Sequence, residues 1–252
     1  MLKRRIIPVE LLANGRLVKS IGFGAYRDVG DPVKSSKVYS DQDADELLIL
    51  NVVRGPDAVI QLAAQLRRIA RECFVPITAG GGIRSIEDAT LLFEAGADKV
   101  SVCTAAFNDL PLLEQIATRY GSQALVVCVD VRRLADGTLR LMSDCGTAQQ
   151  AVDLDTHLHQ VAQAGAGEIL IQSTGRDGAM IGYDLPLIHR VCAATALPVI
   201  ALGGAGQIIH LKDAFDQGAE AAACGSLFNF GDNNPLRAKA LLKNYDVPLK
   251  KI

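Results

Sequence analysis

An internal repeat constrains this chain more than any other feature. VPITAGGGIRSIEDATLLFEAGADKVSVCTAAF begins at Val75, and LPVIALGGAGQIIHLKDAFDQGAEAAACGSLF begins at Leu197. A shift of 122 positions lays Pro76 on Pro198, Gly82 on Gly204, Gly96 on Gly218 and Thr104 on Ser226, and also lays Glu46 on Glu168. Continuous apolar runs, as expected of parallel strands buried on both faces, fall at 5–9, 46–52, 75–79, 99–102, 124–130, 168–172, 198–201 and 221–225. Amphipathic stretches follow them, at 58–73, 85–95, 110–120, 153–164, 184–194 and 208–217 among others. Two copies of a four-strand, four-helix unit close most economically into a single (β/α)₈ barrel spanning 1–252, with halves at about 1–122 and 123–252. No GxGxxG follows the first strand, which counts against a dinucleotide-binding sheet.

Composition narrows the function classes. The 252 residues match the usual ~250 of such a barrel. A net charge of −2 with no tryptophan argues against a nucleic-acid or anionic-membrane partner. The six cysteines are scattered without a CxxC pair, which predicts free, buried thiols and a reducing cytoplasm. The N-terminus lacks a signal-peptide h-region, and no apolar run reaches the ~18 residues of a membrane span. The C-terminal segment reads as a final helix with a solvated basic tail, KK.

In this fold the chemistry sits at the C-terminal ends of the strands. GGGI (80–83) and GGAG (203–206) each join a strand to a helix, where backbone N–H groups and the helix dipole favour an anion. Gly81 and Gly82 with Thr104, and Gly203 and Gly204 with Gly225 and Ser226, predict two phosphate cups suited to a ligand carrying two phosphates. The alternative is that the glycines are plain turns. Asp130 ends the fifth strand and is the candidate general acid or base. Asp177 and Gly178 lie in the loop TGRDGAMIGYD (174–184), where Asp177 is a ligand clamp or a loop brace. All four histidines read as surface residues of outer helices, so no metal site and no cofactor is expected. Arg5, Glu46, Lys99 and Glu168 each begin a strand, at the opposite end of the barrel. Pointing inward, they form either a self-satisfied polar plug or a gate on an opening.

The segments RRIIPVELLANGRLVKS, VGDPV, GGGIRS, GADKVSVCTAA, GSQALVVCVD, GAGEILIQSTGRDGAMIGYD and VIALGGAG resemble the HisF family, the cyclase subunits of imidazole glycerol phosphate synthase, over essentially the whole chain. The resemblance implies a HisH-type glutaminase docked at the barrel bottom near Asp98. It also implies ammonia passing a gate of Arg5, Glu46, Lys99 and Glu168, a loop lysine, Lys19, covering a phosphorylated substrate, and Asp130 as the second catalytic aspartate. The family's first catalytic aspartate falls at Leu11, its Asp after strand two at Asn51, its Asn before the phosphate-binding Thr at Cys103, and its Asp before RDG at Gly175. Glu10 adjoins Leu11, but strand alternation aims it to the other side. Losing one member of an acid–base pair costs ~10²–10⁴-fold in rate.

An altered top with intact gate residues is similar to a divergent HisF-like branch that pairs with a HisH-like glutaminase and a third protein, a sugar amidotransferase. That branch supplies ammonia for acetamidino sugars of surface polysaccharides. The expected function is therefore ammonia delivery for a sugar amination or amidination. The alternatives are the cyclase (lyase) of L-histidine biosynthesis, a non-catalytic glutaminase activator, or an isomerase of the related HisA type.

Overall fold

The computed structural model describes residues 3–250. Eight parallel strands form the barrel: β1 (Arg5–Ala13), β2 (Leu47–Asn51), β3 (Ile77–Gly80), β4 (Lys99–Val102), β5 (Leu125–Arg133), β6 (Glu168–Ser173), β7 (Val199–Leu202) and β8 (Ala221–Cys224). Each pairs with its neighbour in sequence, and β8 returns to pair with β1, so the sheet closes. Closure leaves the barrel no free edge.

Eight principal helices surround the strands: α1 (Pro32–Asp41), α2 (Ala58–Ile69), α3 (Ile86–Glu94), α4 (Leu110–Tyr120), α5 (Leu154–Gln163), α6 (Leu185–Ala194), α7 (Ile208–Asp216) and α8 (Pro235–Leu242). Six start at a side chain that accepts an N–H of the first turn: Asp31, Ser85, Asp109, Asp153, Asp184 and Asn234. Such a cap contributes about 1 kcal/mol. Among the described residues no helix is long and apolar enough to cross a membrane.

The repeat is visible in the elements themselves. Adding 122 to the bounds of β3, α3 and β4 returns those of β7, α7 and β8. Alternation along the strands sorts the side chains. One set, with Ile6, Leu47, Val127 and Ile169, packs outward against the helices. The other, with Ile7, Leu48, Val126, Leu170 and Ile200, fills the lumen.

Three details differ from the sequence reading. First, β1 runs to Ala13 and β5 to Arg133, beyond the expected strand ends. Their extensions pair antiparallel with Arg16–Lys19 and Leu139–Ser143, and each hairpin adds a further short strand (Arg27–Gly30 and Ala148–Gln149). Asp130 therefore lies within β5 rather than at its end. The polar alternation of these short ribbons carries no long apolar run, so they escaped notice. Second, the final helix is present as α8, while the KK pair reaches Lys251, outside the described residues.

Third, His157 is not a surface residue. It is 1% exposed on the inner face of α5 and stacks on Phe107 at 4.1 Å between ring centroids. Its Nε2 is buried without a partner. Burial lowers its pKa to about 4 from the usual 6.5. His159 and His189 are exposed, as expected, and His210 is half-buried.

Between pH 6.5 and 4 the unfolded chain protonates this imidazole while the folded chain does not, so stability is lost as the pH falls through that window. At 1.4 kcal/mol per unit, the loss is on the order of 3 kcal/mol. Chemical denaturation as a function of pH should show His157→Leu losing less stability on acidification than wild type. Parallel profiles would show that His157 does not titrate as its burial requires.

Candidate functional site

At the bottom of the lumen the four charged strand-start residues meet. Arg5 Nη1 is 2.9 Å from Glu46 Oε2 and its Nη2 is 2.6 Å from Glu168 Oε2. Lys99 Nζ is 2.9 Å from Glu46 Oε2 and 2.7 Å from Glu168 Oε1. Thr78 adds its hydroxyl, which donates to Glu46. Each carboxylate thus touches both cations, and the ring is neutral. Burial works against the charge of Glu168, but Arg5 and Lys99 outweigh it and hold its pKa below the ordinary carboxylate value. Asp98 lies exposed beside this end, where its carboxylate accepts the N–H of Ile77 at 2.8 Å and secures the start of β3.

At the top the lumen opens into a cavity of about 450 Å³. Asp130, Cys103, Cys128, Gln172 and Leu11 line it, together with Gly81, Gly82 and Thr104 of the first expected cup. Asp130 is 5% exposed. Burial raises its pKa to about 7, offset in part by contacts from the Cys128 and Cys103 thiols. Among the described residues these thiols are its only side-chain hydrogen-bonding partners: Cys128 Sγ at 3.4 Å and Cys103 Sγ at 3.7 Å.

The glycine pairs have a packing cause. Gly81 and Gly203 carry φ of +99° and +95°. A Cβ at Gly81 would lie 2.0 Å from the Asn51 carbonyl oxygen, and one at Gly203 would lie 2.6 Å from that of Ser173. Asn51 and Ser173 are themselves related by the 122-residue shift. Close approach to the preceding strand end therefore demands glycine in both halves, whatever ligand follows. The Thr104 hydroxyl accepts the N–H of Asp144 at 2.9 Å and keeps its proton free to donate towards the cavity.

The second cup differs. Gly203, Gly204, Gly225, Ser226, Asp177 and Gly178 gather around Lys19, whose Nζ donates to the Val9 carbonyl at 2.7 Å. Lys19 is not on a loop. It ends the short strand after β1 and is 4% exposed. Burial lowers its pKa to about 8, while Asp177 and Glu10 favour its charge. The backbone carbonyl of Asp177 accepts the N–H of Gly22, and its carboxylate faces Lys19, contacts that leave both the clamp and the brace open to it. His210 Nδ1 accepts the N–H of Gly206 and lies 3.3 Å from the N of Gln207, so these amides at the start of α7 turn to the ring.

The family described as "Histidine biosynthesis protein" matches residues 5–234. The chain is 40% identical to "Imidazole glycerol phosphate synthase subunit HisF" of Streptomyces coelicolor, over 98% of each chain. It is 38% identical to the protein of the same name from Alkaliphilus metalliredigens, over the full length of both. The chain belongs to the HisF family.

Of the positions at which the resemblance led us to expect other residues, Leu11, Asn51 and Cys103 lie at the top. Leu11 places an apolar side chain in the cavity wall. Glu10 offers that cavity no carboxylate, because alternation turns it outward. It is fully buried and accepts the Ser36 hydroxyl at 2.7 Å. Asn51 donates to the Ala58 carbonyl and accepts the N–H of Val53, tying β2 to α2. Two features escaped the sequence reading. Arg54 bridges to Asp144 and Thr147 across the first cup, a contact between residues some 90 positions apart. The Cys103, Cys128 and Asp130 cluster was hidden because its members share no local motif, and the expectation of no metal site was argued from the histidines alone. Cys103, Cys145 and Cys192 are only partly buried, the first two lining the cavity, so the expectation of buried thiols fails at these three.

Burial raises the pKa of Glu10 to about 7, against an ordinary 4.5. The folded chain then holds a proton that the unfolded chain has released, and stability falls as the pH rises from about 4.5 to about 7. Glu10→Gln keeps the Ser36 contact without the ionisation. It should be more stable than wild type above pH 7, by on the order of 3 kcal/mol, and equal to it near pH 4. Urea titrations at the two pH values decide this, and a variant weaker than wild type at both would refute the assignment.

Proposed function

We propose that this chain is a HisF-type barrel subunit that takes ammonia from a HisH-type glutaminase and delivers it for amination or amidination of a phosphorylated substrate, probed first as a sugar of the surface-polysaccharide kind. The observation that carries the reading is the pairing of an intact charged ring at the bottom with Leu11 in the cavity wall at the top. In this reading the ring is the ammonia gate and Asp98 belongs to the glutaminase docking face. Ammonia is small and neutral, and it would pass from the ring beside Thr78 and Ser101 towards Asp130. Gly81, Gly82 and Thr104 would hold one phosphate. Lys19, Gly203, Gly204, Gly225 and Ser226 would hold another, with Asp177 and Gly178 shaping the loop. Asp130 would be the proton-transfer group nearest the incoming nitrogen. The full reading adds a third protein, a sugar amidotransferase, that receives the ammonia.

A second reading has specific support in the names of the relatives: the chain is the cyclase subunit of imidazole glycerol phosphate synthase in histidine synthesis. It would require cyclisation with Asp130 and no carboxylate at position 11. A glutaminase activator without chemistry of its own is the third possibility. It assigns no use to the Asp130 cavity.

The deciding experiment mixes the full chain with its HisH-type glutaminase, glutamine carrying ¹⁵N in the amide, and the histidine-pathway ribotide. The expected result is labelled ammonia with negligible loss of ribotide. Leu11→Asp should then raise ribotide consumption by about 100-fold or more, by restoring the missing acid–base partner. Consumption by the unmodified chain at the rate of a HisF relative assayed alongside would overturn the proposal in favour of the cyclase.

A further inference from the structure

We propose that Cys103, Cys128 and Asp130 form a site for a zinc-like divalent cation at the floor of the upper cavity, with one coordination position left open to that cavity. The barrel register creates the cluster. Val102 of β4 pairs with Val127 of β5, so the next residues on each strand, Cys103 and Cys128, lie side by side. Cys128 points into the lumen, and alternation directs Asp130, two residues on, to the same side.

The donor atoms of the three residues all lie within 4.8 Å of one another. Cys128 Sγ is 3.4 Å from one oxygen of Asp130 and Cys103 Sγ is 3.7 Å from the other. A tetrahedral ion with bonds of about 2.3 Å to sulfur and about 2.0 Å to oxygen places a sulfur and an oxygen about 3.5 Å apart, and two sulfurs about 3.8 Å apart. Each sulfur–oxygen spacing is thus close to that of a ligand set, the two sulfurs lie within 4.8 Å, and rotation of the Asp130 carboxylate and the thiols about their side-chain bonds brings all three donors onto one ion.

The electrostatics point the same way. Asp130 is a buried carboxylate that no lysine or arginine touches among the described residues, whereas the ring at the bottom of the same lumen pairs each of its carboxylates with two cations. A divalent cation supplies the missing counter-charge. Thiolate ligands select a borderline-soft ion such as Zn²⁺ over Mg²⁺ or Ca²⁺. Binding expels the thiol protons to solvent, so it is accompanied by acidification. Three protein ligands with a fourth position open is the arrangement of a reactive rather than a purely structural zinc site. The open side faces the cavity that Leu11 and Gln172 also line. The site stands whether or not ammonia delivery is the function, and its test measures metal alone.

The full chain, purified under argon and with its thiols counted as reduced, is titrated with Co²⁺. The expected result is one equivalent bound, with a thiolate-to-cobalt charge-transfer band and the intense visible bands of a tetrahedral ion, both abolished by stoichiometric Zn²⁺. Cys128→Ser and Cys103→Ala should each weaken Zn²⁺ binding by at least about 100-fold, while Cys192→Ser, on α6, leaves it unchanged. Cys103→Ala shortens a half-exposed side chain and guards against a folding defect in the buried Cys128 variant. Absence of the bands in the reduced native chain overturns the proposal. So does their persistence in a Cys103→Ala chain.

Discussion

In a closed eight-stranded barrel each strand residue points either into the lumen or at the helices, and no third direction exists. The rest of the molecule follows from that constraint. A lumen with no edge and little water leaves inward polar groups to satisfy one another. The ring of Arg5, Glu46, Lys99 and Glu168 does so completely, each carboxylate between two cations. Breaking one partner would leave an unpaired buried charge, which is far costlier than the net gain of forming the pair. Such a ring holds a defined closed shape.

The same two-sided rule separates Glu10 from Leu11. Adjacent in sequence, they fall on opposite sides of β1, one against Ser36 of α1 and the other in the cavity wall. A carboxylate one position away is chemically remote, because shifting it inward would turn all of β1 over. Position 11 therefore offers the cavity no titratable group, and Glu10 does not supply one.

Much of this was legible in the sequence because the repeat, the apolar runs and the charged strand starts are properties of consecutive residues. The barrel and its eight strands follow from the repeat and the apolar runs, and the charged ring from the residues that begin four of those strands. What was not legible depends on contacts across strands or on hairpins too short for a pattern. The burial of Lys19 arises from the ribbon folded back on β1. His157 carries a polar ring at a core position that only the packing of Phe107 reveals. The glycines at 81 and 203 were read as signs of an anion, yet neighbouring strand ends account for them. The anion argument then rests on Thr104, Lys19 and Ser226.

The residues at the top act together. Leu11 presents an apolar side chain to the cavity, and Cys103 sets a soft donor beside Cys128. Asp130 is left as the one carboxylate in its immediate group, in contact with two thiols. An acid–base pair needs two titratable groups whose pKa values are driven apart. Two thiols do not make such a pair, so Asp130 has no second carboxylate at hand with which to divide a proton. The lower lumen is the opposite case, since each of its carboxylates sits between two cations and is held charged rather than poised to exchange.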